Sequence, residues 1–215
     1  TGAIARDLEL VRDLGVRVHF GRLSSARSVE LVARAQAEGL PVTADVAIHH
    51  LHLTETDLAG FDSRCHLRPP LRSGRDRDAL RAGLASGVLG ALCSDHQPHE
   101  PDAKQAPFGD TEPGISGLDT LLALGLRLAR EGVLSLPTLI ERLTWGPARI
   151  RGRDRGHLAV GASADICVFD PEADWLVNAA TLRSRGQNNP FIGWELQGRV
   201  AHTLLEGRMA HPSEA

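Results

Sequence analysis

Apolar residues follow two different spacings along the first two thirds of the chain. Apolar positions three and four residues apart, as on one face of a helix, predict helices over residues 3–14, 28–39, 76–87, 117–132 and 136–144. Short runs rich in apolar and β-branched residues predict strands over residues 16–20, 40–48 and 88–94. Because strands that alternate with helices are typical of βαβ units, this part is predicted to form a parallel sheet covered by helices.

The pattern changes after Gly152, where short β-rich runs are interrupted by glycine, proline and aspartate. Such runs are typical of a small antiparallel β module. We therefore predict two domains, residues 1–152 in the α/β part and residues 153–215 in the β module. Three strand–helix units are fewer than the eight of a (β/α)₈ barrel. If the fold is such a barrel, the chain is its C-terminal portion and a longer polypeptide supplies the missing N-terminal half.

Composition and charge exclude several classes of partner. The chain has 215 residues, of which 42% are hydrophobic, and this is ordinary for a protein with a buried core. The net charge of -3 gives no reason to expect a nucleic-acid partner. No apolar run approaches the roughly 20 residues of a membrane span. The three cysteines are odd in number and far apart, so a disulfide framework is not expected and a cytoplasmic location is predicted.

Polar residues that follow the predicted strands are the candidates for chemistry, because functional residues of parallel α/β folds lie past the carboxyl ends of strands. Asp95, in the segment CSDHQPHE, is the strongest of them. A carboxylate in that place can bind a metal and take a proton from metal-bound water, or it can simply cap the following turn. His99 could bind an anionic substrate or be a surface histidine.

Further histidines lie in or near the strands. His49, His50 and His52 form a crowded run in which a structural role is favoured over metal binding. If the strand continues through them, His50 and His52 share one face and His49 takes the other. His19 lies inside an apolar strand and is predicted to be a hydrogen-bonded core histidine.

Two arginines flank the rigid turn PPLR, in which each proline fixes φ. Arg68 or Arg72 could hold a carboxylate through a bidentate hydrogen bond, or both could be solvated. The solvated alternative is favoured for Arg72 and remains open for Arg68. The segment EPGISG leads into the long helix and reads as a loop before a helix start, although its glycines also allow close approach of a ligand.

Taken in order, several segments resemble one family. They are ADVAIHHLHLT, LRPPLRSGRDRDALRAGLASG, CSDHQPH, PGISGLDT, GPARIRG, ADICVFDP and NPFIGWELQGRV. From about residue 16 onward, the chain resembles the C-terminal half of a bacterial dihydroorotase of the long type, in the amidohydrolase superfamily. The resemblance implies a (β/α)₈ barrel with a small β-sandwich module.

The resemblance also implies a reaction, the zinc-dependent interconversion of carbamoyl aspartate and dihydroorotate in pyrimidine biosynthesis. Asp95 matches the metal-binding, proton-shuttling aspartate of the family. His99 matches the histidine that contacts the substrate carboxylate. Pro113 and Gly114 match the loop that contacts the substrate through backbone groups.

Two departures from the family pattern alter this expectation. Arg22, in GRLSS, occupies the position of a zinc-ligand histidine, and an arginine has no lone pair to donate to a metal. Arg68 occupies the position of a substrate-binding asparagine before the two prolines. The family's other metal ligands, an HxH pair, a carboxylate or carboxylated lysine and a further histidine, are not in this chain.

Three interpretations follow from this resemblance. The first is a dihydroorotase-like enzyme whose activity is impaired in this chain. The second is a non-catalytic dihydroorotase-like subunit that associates with aspartate transcarbamoylase, and the two arginines favour it. The third, another cyclic amidohydrolase such as a hydantoinase, is weaker because the PPLR turn and the PGISG loop look more like dihydroorotase.

Overall fold

A computed structural model describes residues 1–211 of the chain, and its first part is built on a parallel sheet. The strands β1 (Val18–Phe20), β2 (Val42–Ala47) and β3 (Ala91–Cys93) lie in the order β1-β2-β3. Both pairs of neighbouring strands are parallel. The parallel sheet predicted from the sequence is therefore confirmed.

Six α-helices accompany the strands in the described residues. They are α1 (Gly2–Leu14), α2 (Ala26–Ala37), α3 (Gly74–Ser86), α4 (Leu121–Arg130), α5 (Leu136–Leu143) and α6 (Trp145–Ile150). Their ends carry the expected signals. Gly15 ends α1 with a left-handed φ of 67°, and the Ser25 side chain accepts a hydrogen bond from the Ser28 N–H at the start of α2. The apolar faces of the helices and strands share one core, in which Val32, Leu84 and Leu124 are fully buried.

Two elements have bounds that differ from the predicted ones. The long helix begins at Leu121 instead of residue 117, because the backbone at Gly117 packs against the Ser94 carbonyl group. The strand predicted over residues 40–48 ends at Ala47, and the chain then turns into a short 3₁₀ helix, Ile48–Leu51. The three neighbouring histidines therefore do not alternate between the faces of a strand.

The second part of the chain forms an antiparallel sheet. Its strands are β4 (Ile166–Leu176), β5 (Glu195–Leu205) and β6 (Arg208–His211), in the order β4-β5-β6. One face of β5 packs against α4, where Gly198 lies against Leu126. Residues 212–215 of the predicted β module lie outside the described residues. None of the helices within residues 1–211 has the length and apolar character needed to cross a membrane.

Candidate functional site

Asp95 and Arg22 meet where β3 and β1 end. The Arg22 Nη1 atom donates to Asp95 Oδ1 at 3.1 Å, and Gln97 Nε2 donates to the same oxygen at 2.9 Å. The Asp95 side chain is 11% exposed, whereas that of Arg22 is 43% exposed. The guanidinium group therefore covers the carboxylate from the solvent side. The arginine at the ligand-histidine position and the candidate acid/base residue form an ion pair with each other.

Asp45, on β2, links the Arg22 backbone to His19 through hydrogen bonds. Its Oδ1 accepts the Arg22 backbone N–H at 2.6 Å, and its Oδ2 lies 2.9 Å from His19 Nε2. The other ring nitrogen of His19 lies 2.9 Å from Thr43 Oγ1. Burial raises the pKa of the Asp45 carboxyl, but the hydrogen bonds from His19 and Arg22 outweigh it and leave the pKa below its ordinary value. A continuous hydrogen-bonded chain thus runs from Thr43 along the sheet to Asp95.

Both members of the ion pair have an unusual backbone conformation. The φ angle is 56° at Arg22 and 43° at Asp95, in the left-handed region that residues with a Cβ rarely adopt. Each such residue costs about 1 kcal/mol or more and persists only where its surroundings enforce it. At Arg22, the hydrogen bond from its N–H group to Asp45 stabilises this conformation. Placing these two side chains together therefore lowers the stability of the folded chain.

His19 corrects one prediction. It is hydrogen-bonded as expected, but it is exposed on β1 instead of lying in the apolar core. The reason is that its strand presents a polar face to Thr43 and Asp45.

The loop that carries His99 is closed onto the PGISG segment. The ring atom His99 Nε2 lies 3.2 Å from the Pro113 carbonyl oxygen. Gly114 has a φ of 142°, and a Cβ at this position would lie 2.6 Å from Gln97 Cβ, so only glycine fits. Asn188 ties the two segments together, since its side-chain amide donates to the Gln97 and Gly114 carbonyl groups and accepts the His99 N–H. The structure thus brings His99, Pro113 and Gly114 together.

The two arginines of the PPLR turn have different environments. Arg68 is exposed, and its peptide bond to Pro69 is cis. The Nε atom of Arg72 donates to Ser24 Oγ at 2.9 Å, so this side chain is held in place. Arg72 is nevertheless exposed, so the solvated role favoured for it agrees with the structure.

The histidine run is buried beneath the site. His49 has no hydrogen-bond partner at either ring nitrogen within residues 1–211, and burial, followed by the charges of His50 and Arg22, lowers its pKa well below the ordinary value. His50 Nε2 lies 3.2 Å from the Pro69 carbonyl oxygen, and burial lowers its pKa. His52 Nε2 lies 3.1 Å from the Leu124 carbonyl oxygen. A structural role for these histidines agrees with these contacts.

The residues around Asp95 do not fit a metal ion. Within the part of the chain that the structure describes, no group of three or more His, Cys, Asp or Glu side chains could hold one. The guanidinium of Arg22, 3.1 Å from Asp95, would repel a divalent cation by several kcal/mol even at an effective dielectric constant of about 20. Burial raises the pKa of the Cys93 thiol to about 12.

Three residues of the site were missed from the sequence: Asp45, Gln97 and Asn188. A signal for Asp45 exists, since Thr43 and Asp45 alternate with apolar neighbours and therefore share one face of a strand. Nothing local identifies Asn188, because its partners lie 74 to 91 residues away along the chain.

Comparisons with known proteins agree on one family. The model of the "Amidohydrolase family" matches residues 3–210. A "Dihydroorotase-like protein" from Pseudomonas aeruginosa is 53% identical over 211 residues, which are 98% of this chain and 50% of that protein. A "Dihydroorotase" from Geobacter sp. (strain M21) is 41% identical over 209 residues, which are 97% of this chain and 49% of that protein. The chain thus spans about half the length of the curated relatives it matches.

Solved structures show the same fold. An L-hydantoinase (dihydropyrimidinase) from Arthrobacter aurescens superposes with a TM-score of 0.92 and 30% identity, over 100% of this chain and 49% of that one. A D-hydantoinase superposes with a TM-score of 0.90 and 27% identity, over 99% of this chain and 48% of that one. The predicted fold class is confirmed: part of a (β/α)₈ barrel followed by strands of a small β module.

Proposed function

Because this chain belongs to the amidohydrolase family, we propose that it is part of a dihydroorotase-type cyclic amidohydrolase whose turnover is impaired. The reaction is the interconversion of carbamoyl aspartate and dihydroorotate. The names of the curated relatives support the choice of dihydroorotase over hydantoinase. The observation that carries the impairment is the ion pair between Arg22 and Asp95.

The ion pair acts on both tasks that the family resemblance gives to Asp95. Oδ1 of Asp95 accepts two N–H groups, from Arg22 and Gln97, so a metal ion would have to bind Oδ2, close to the Arg22 guanidinium. A zinc ion, the cofactor that the resemblance implies, would also lose a ligand because arginine offers no lone pair. A proton shuttle needs room for the reacting atom beside the carboxylate, and the Arg22 guanidinium occupies that side.

The substrate side keeps part of its architecture. His99 and the backbone of Pro113 and Gly114 lie together, which supports a remaining affinity for a carboxylate ligand. Arg68 occupies the position where the family resemblance places an asparagine, and its side chain is exposed. We propose that Arg68 changes how the ring carbonyl of the substrate is held.

Replacing Arg22 by histidine alone is expected to leave dihydroorotate hydrolysis at background level. The variant restores a ligand type, but Arg68 still replaces the substrate-binding asparagine. The measurement is hydrolysis of dihydroorotate by the full-length polypeptide that carries this chain, with zinc supplied, for the wild type, Arg22→His and Arg22→His with Arg68→Asn. Arg27→His, on the exposed surface of α2, is the matched control. Full turnover by Arg22→His alone would contradict the role given to Arg68.

A second candidate function is a non-catalytic subunit that associates with aspartate transcarbamoylase. The departures at Arg22 and Arg68 favour it, and so does the name "Dihydroorotase-like protein" of the relatives at 53% and 51% identity. The antiparallel sheet also leaves Val168, Leu205 and Met209 exposed. Co-elution of the full-length polypeptide with the transcarbamoylase of the same organism in size-exclusion chromatography would support this function, and separate elution would exclude a stable complex.

The domain division and the cellular location remain proposals as well. We propose residues 1–152 as the barrel portion and residues 153–215 as a segment of the β-sandwich module, because the parallel and antiparallel sheets lie on either side of this division. The three cysteines are free thiols, which supports a reducing compartment such as the cytoplasm.

A further inference from the structure

A second candidate site lies at the amino ends of the parallel strands, the edge of the sheet opposite Asp95. A cavity of about 360 Å³ opens there between the starts of the strands and the helices α5 and α6. Arg17 directly precedes β1, and Gly90 directly precedes β3. The residues that line it are Arg17, Thr43, Gly87, Gly90, Glu141, Arg142, Gly146, Arg149 and Ile150.

The lining carries an excess of positive charge. Glu141 is the one carboxylate among the lining residues, and its Oε1 already accepts Arg142 Nη1 at 3.0 Å. Arg17 and Arg149 have no carboxylate partner within residues 1–211. Arg17 Nη2 donates a hydrogen bond of 3.4 Å to the Ile150 carbonyl oxygen. The guanidinium of Arg149 lies 6.0 Å from the centre of the Trp145 ring. Two guanidinium groups therefore line one cavity without a counter-ion.

Three glycines, Gly87, Gly90 and Gly146, form part of the wall of this cavity. Arg142 is buried, and its Nε donates to the Leu84 carbonyl oxygen at the end of α3. Gly87 has a φ of 89°, and a Cβ there would lie 3.2 Å from Arg142 Nη2. Gly146 packs directly against the Gly90 carbonyl group. Because these glycines leave backbone as the wall, the volume beside Arg17 and Arg149 is open to a small ligand.

We propose that this cavity binds a phosphate dianion, either inorganic phosphate or a small phosphomonoester, between Arg17 and Arg149. Guanidinium groups bind phosphate oxygens through paired, charge-assisted N–H···O hydrogen bonds. A phosphate neutralises the excess charge of two that the lining carries. This site does not depend on the function proposed for Asp95.

The test is isothermal titration calorimetry on the full-length polypeptide, at constant ionic strength, with inorganic phosphate, glycerol 3-phosphate and malonate. Constant ionic strength matters because salt screens exposed charges. We expect saturable 1:1 binding of phosphate, weakened roughly tenfold or more by Arg17→Gln and by Arg149→Gln, since each removes charge-assisted hydrogen bonds. Arg153→Gln removes the same charge from a nearby exposed position outside the cavity and is expected to change nothing.

Each outcome decides part of the proposal. Tighter binding of glycerol 3-phosphate than of phosphate, with the same losses in the variants, supports a phosphomonoester as the ligand. Equal binding of malonate would overturn the assignment to phosphate. Absence of saturable binding by the folded wild type, or unchanged binding by the folded Arg17→Gln, Arg149→Gln double variant, would overturn the site. Circular dichroism of each variant establishes that it is folded.

Discussion

Lowering the pH from 7 to 4 is expected to remove at least about 3 kcal/mol from the free energy of unfolding, because buried histidines resist protonation in the folded chain. Burial, followed by the charge of Arg81, lowers the pKa of His52 from 6.5 to about 4. At about 1.4 kcal/mol per pH unit, this difference alone corresponds to about 3 kcal/mol. His49 and His50, whose pKa values burial also lowers, add to it.

The sign follows from proton uptake. Between pH 6.5 and about 4 the unfolded chain carries a proton on His52 and the folded chain does not. Falling pH therefore favours the unfolded state, and the loss is complete below the folded pKa. Asp45 acts in a lower window: its folded pKa lies below the model-peptide value of 3.8, so its contribution is present above pH 3.8 and is lost as the pH falls through the folded pKa.

Urea denaturation at pH 7 and at pH 4.5 measures this effect. The wild type is compared with His52→Gln, which keeps a donor for the Leu124 carbonyl oxygen but does not titrate. This variant is expected to lose markedly less stability between the two pH values. His157→Gln, in a loop of the second part, is the control and is expected to behave like the wild type. A wild-type stability that stays constant from pH 7 to 4.5 would contradict the burial of these histidines.

Replacing Asp45 by alanine is expected to lower the free energy of unfolding by about 3 kcal/mol. The variant removes the charged acceptor for the Arg22 N–H and the His19 ring, and hydrogen bonds to charged groups contribute about 1.5 to 3 kcal/mol each. Because His19 is partly exposed, its hydrogen bond contributes at the low end of this range, and the two bonds together contribute about 3 kcal/mol. The Asp45→Ala variant also removes the hydrogen bond that stabilises the left-handed backbone at Arg22.

Thermal and urea denaturation at pH 7 measure the effect of Asp45→Ala. Asp78→Ala, on the exposed surface of α3, removes the same charge and is expected to change stability by less than about 0.5 kcal/mol. Equal stability changes in the two variants would show that Asp45 does not organise the site.

Local sequence signals predicted the scaffold because they act over a few residues. The apolar spacing identified α1 to α5 but not α6, and short β-branched runs identified β1 to β3. The histidine run was assigned the wrong local geometry, since tertiary packing turns the chain into a 3₁₀ helix after Ala47. His99 lies against Pro113, and Gly114 lies against Gln97; the roles that the family resemblance gives to these residues and to Asp95 stay predictions.

The interactions that decide the chemistry are long-range and were harder to predict. Arg22 and Asp95 are 73 residues apart, and their hydrogen bond depends on two strained backbone positions that no local pattern reveals. His19 was placed in the core because its strand neighbours are apolar, but its actual partners come from β2. The parallel register that pairs His19 with Thr43 was the missing information.

Dihydroorotate hydrolysis by the full-length polypeptide, purified and supplied with zinc, tests the central claim most directly. The claim is that the Arg22 guanidinium takes the place of a metal ion beside Asp95. The account predicts a folded protein without turnover above background, whether or not a chelator is added. Clear turnover that a chelator abolishes would contradict it and would mean that Asp95 still serves a metal-dependent reaction.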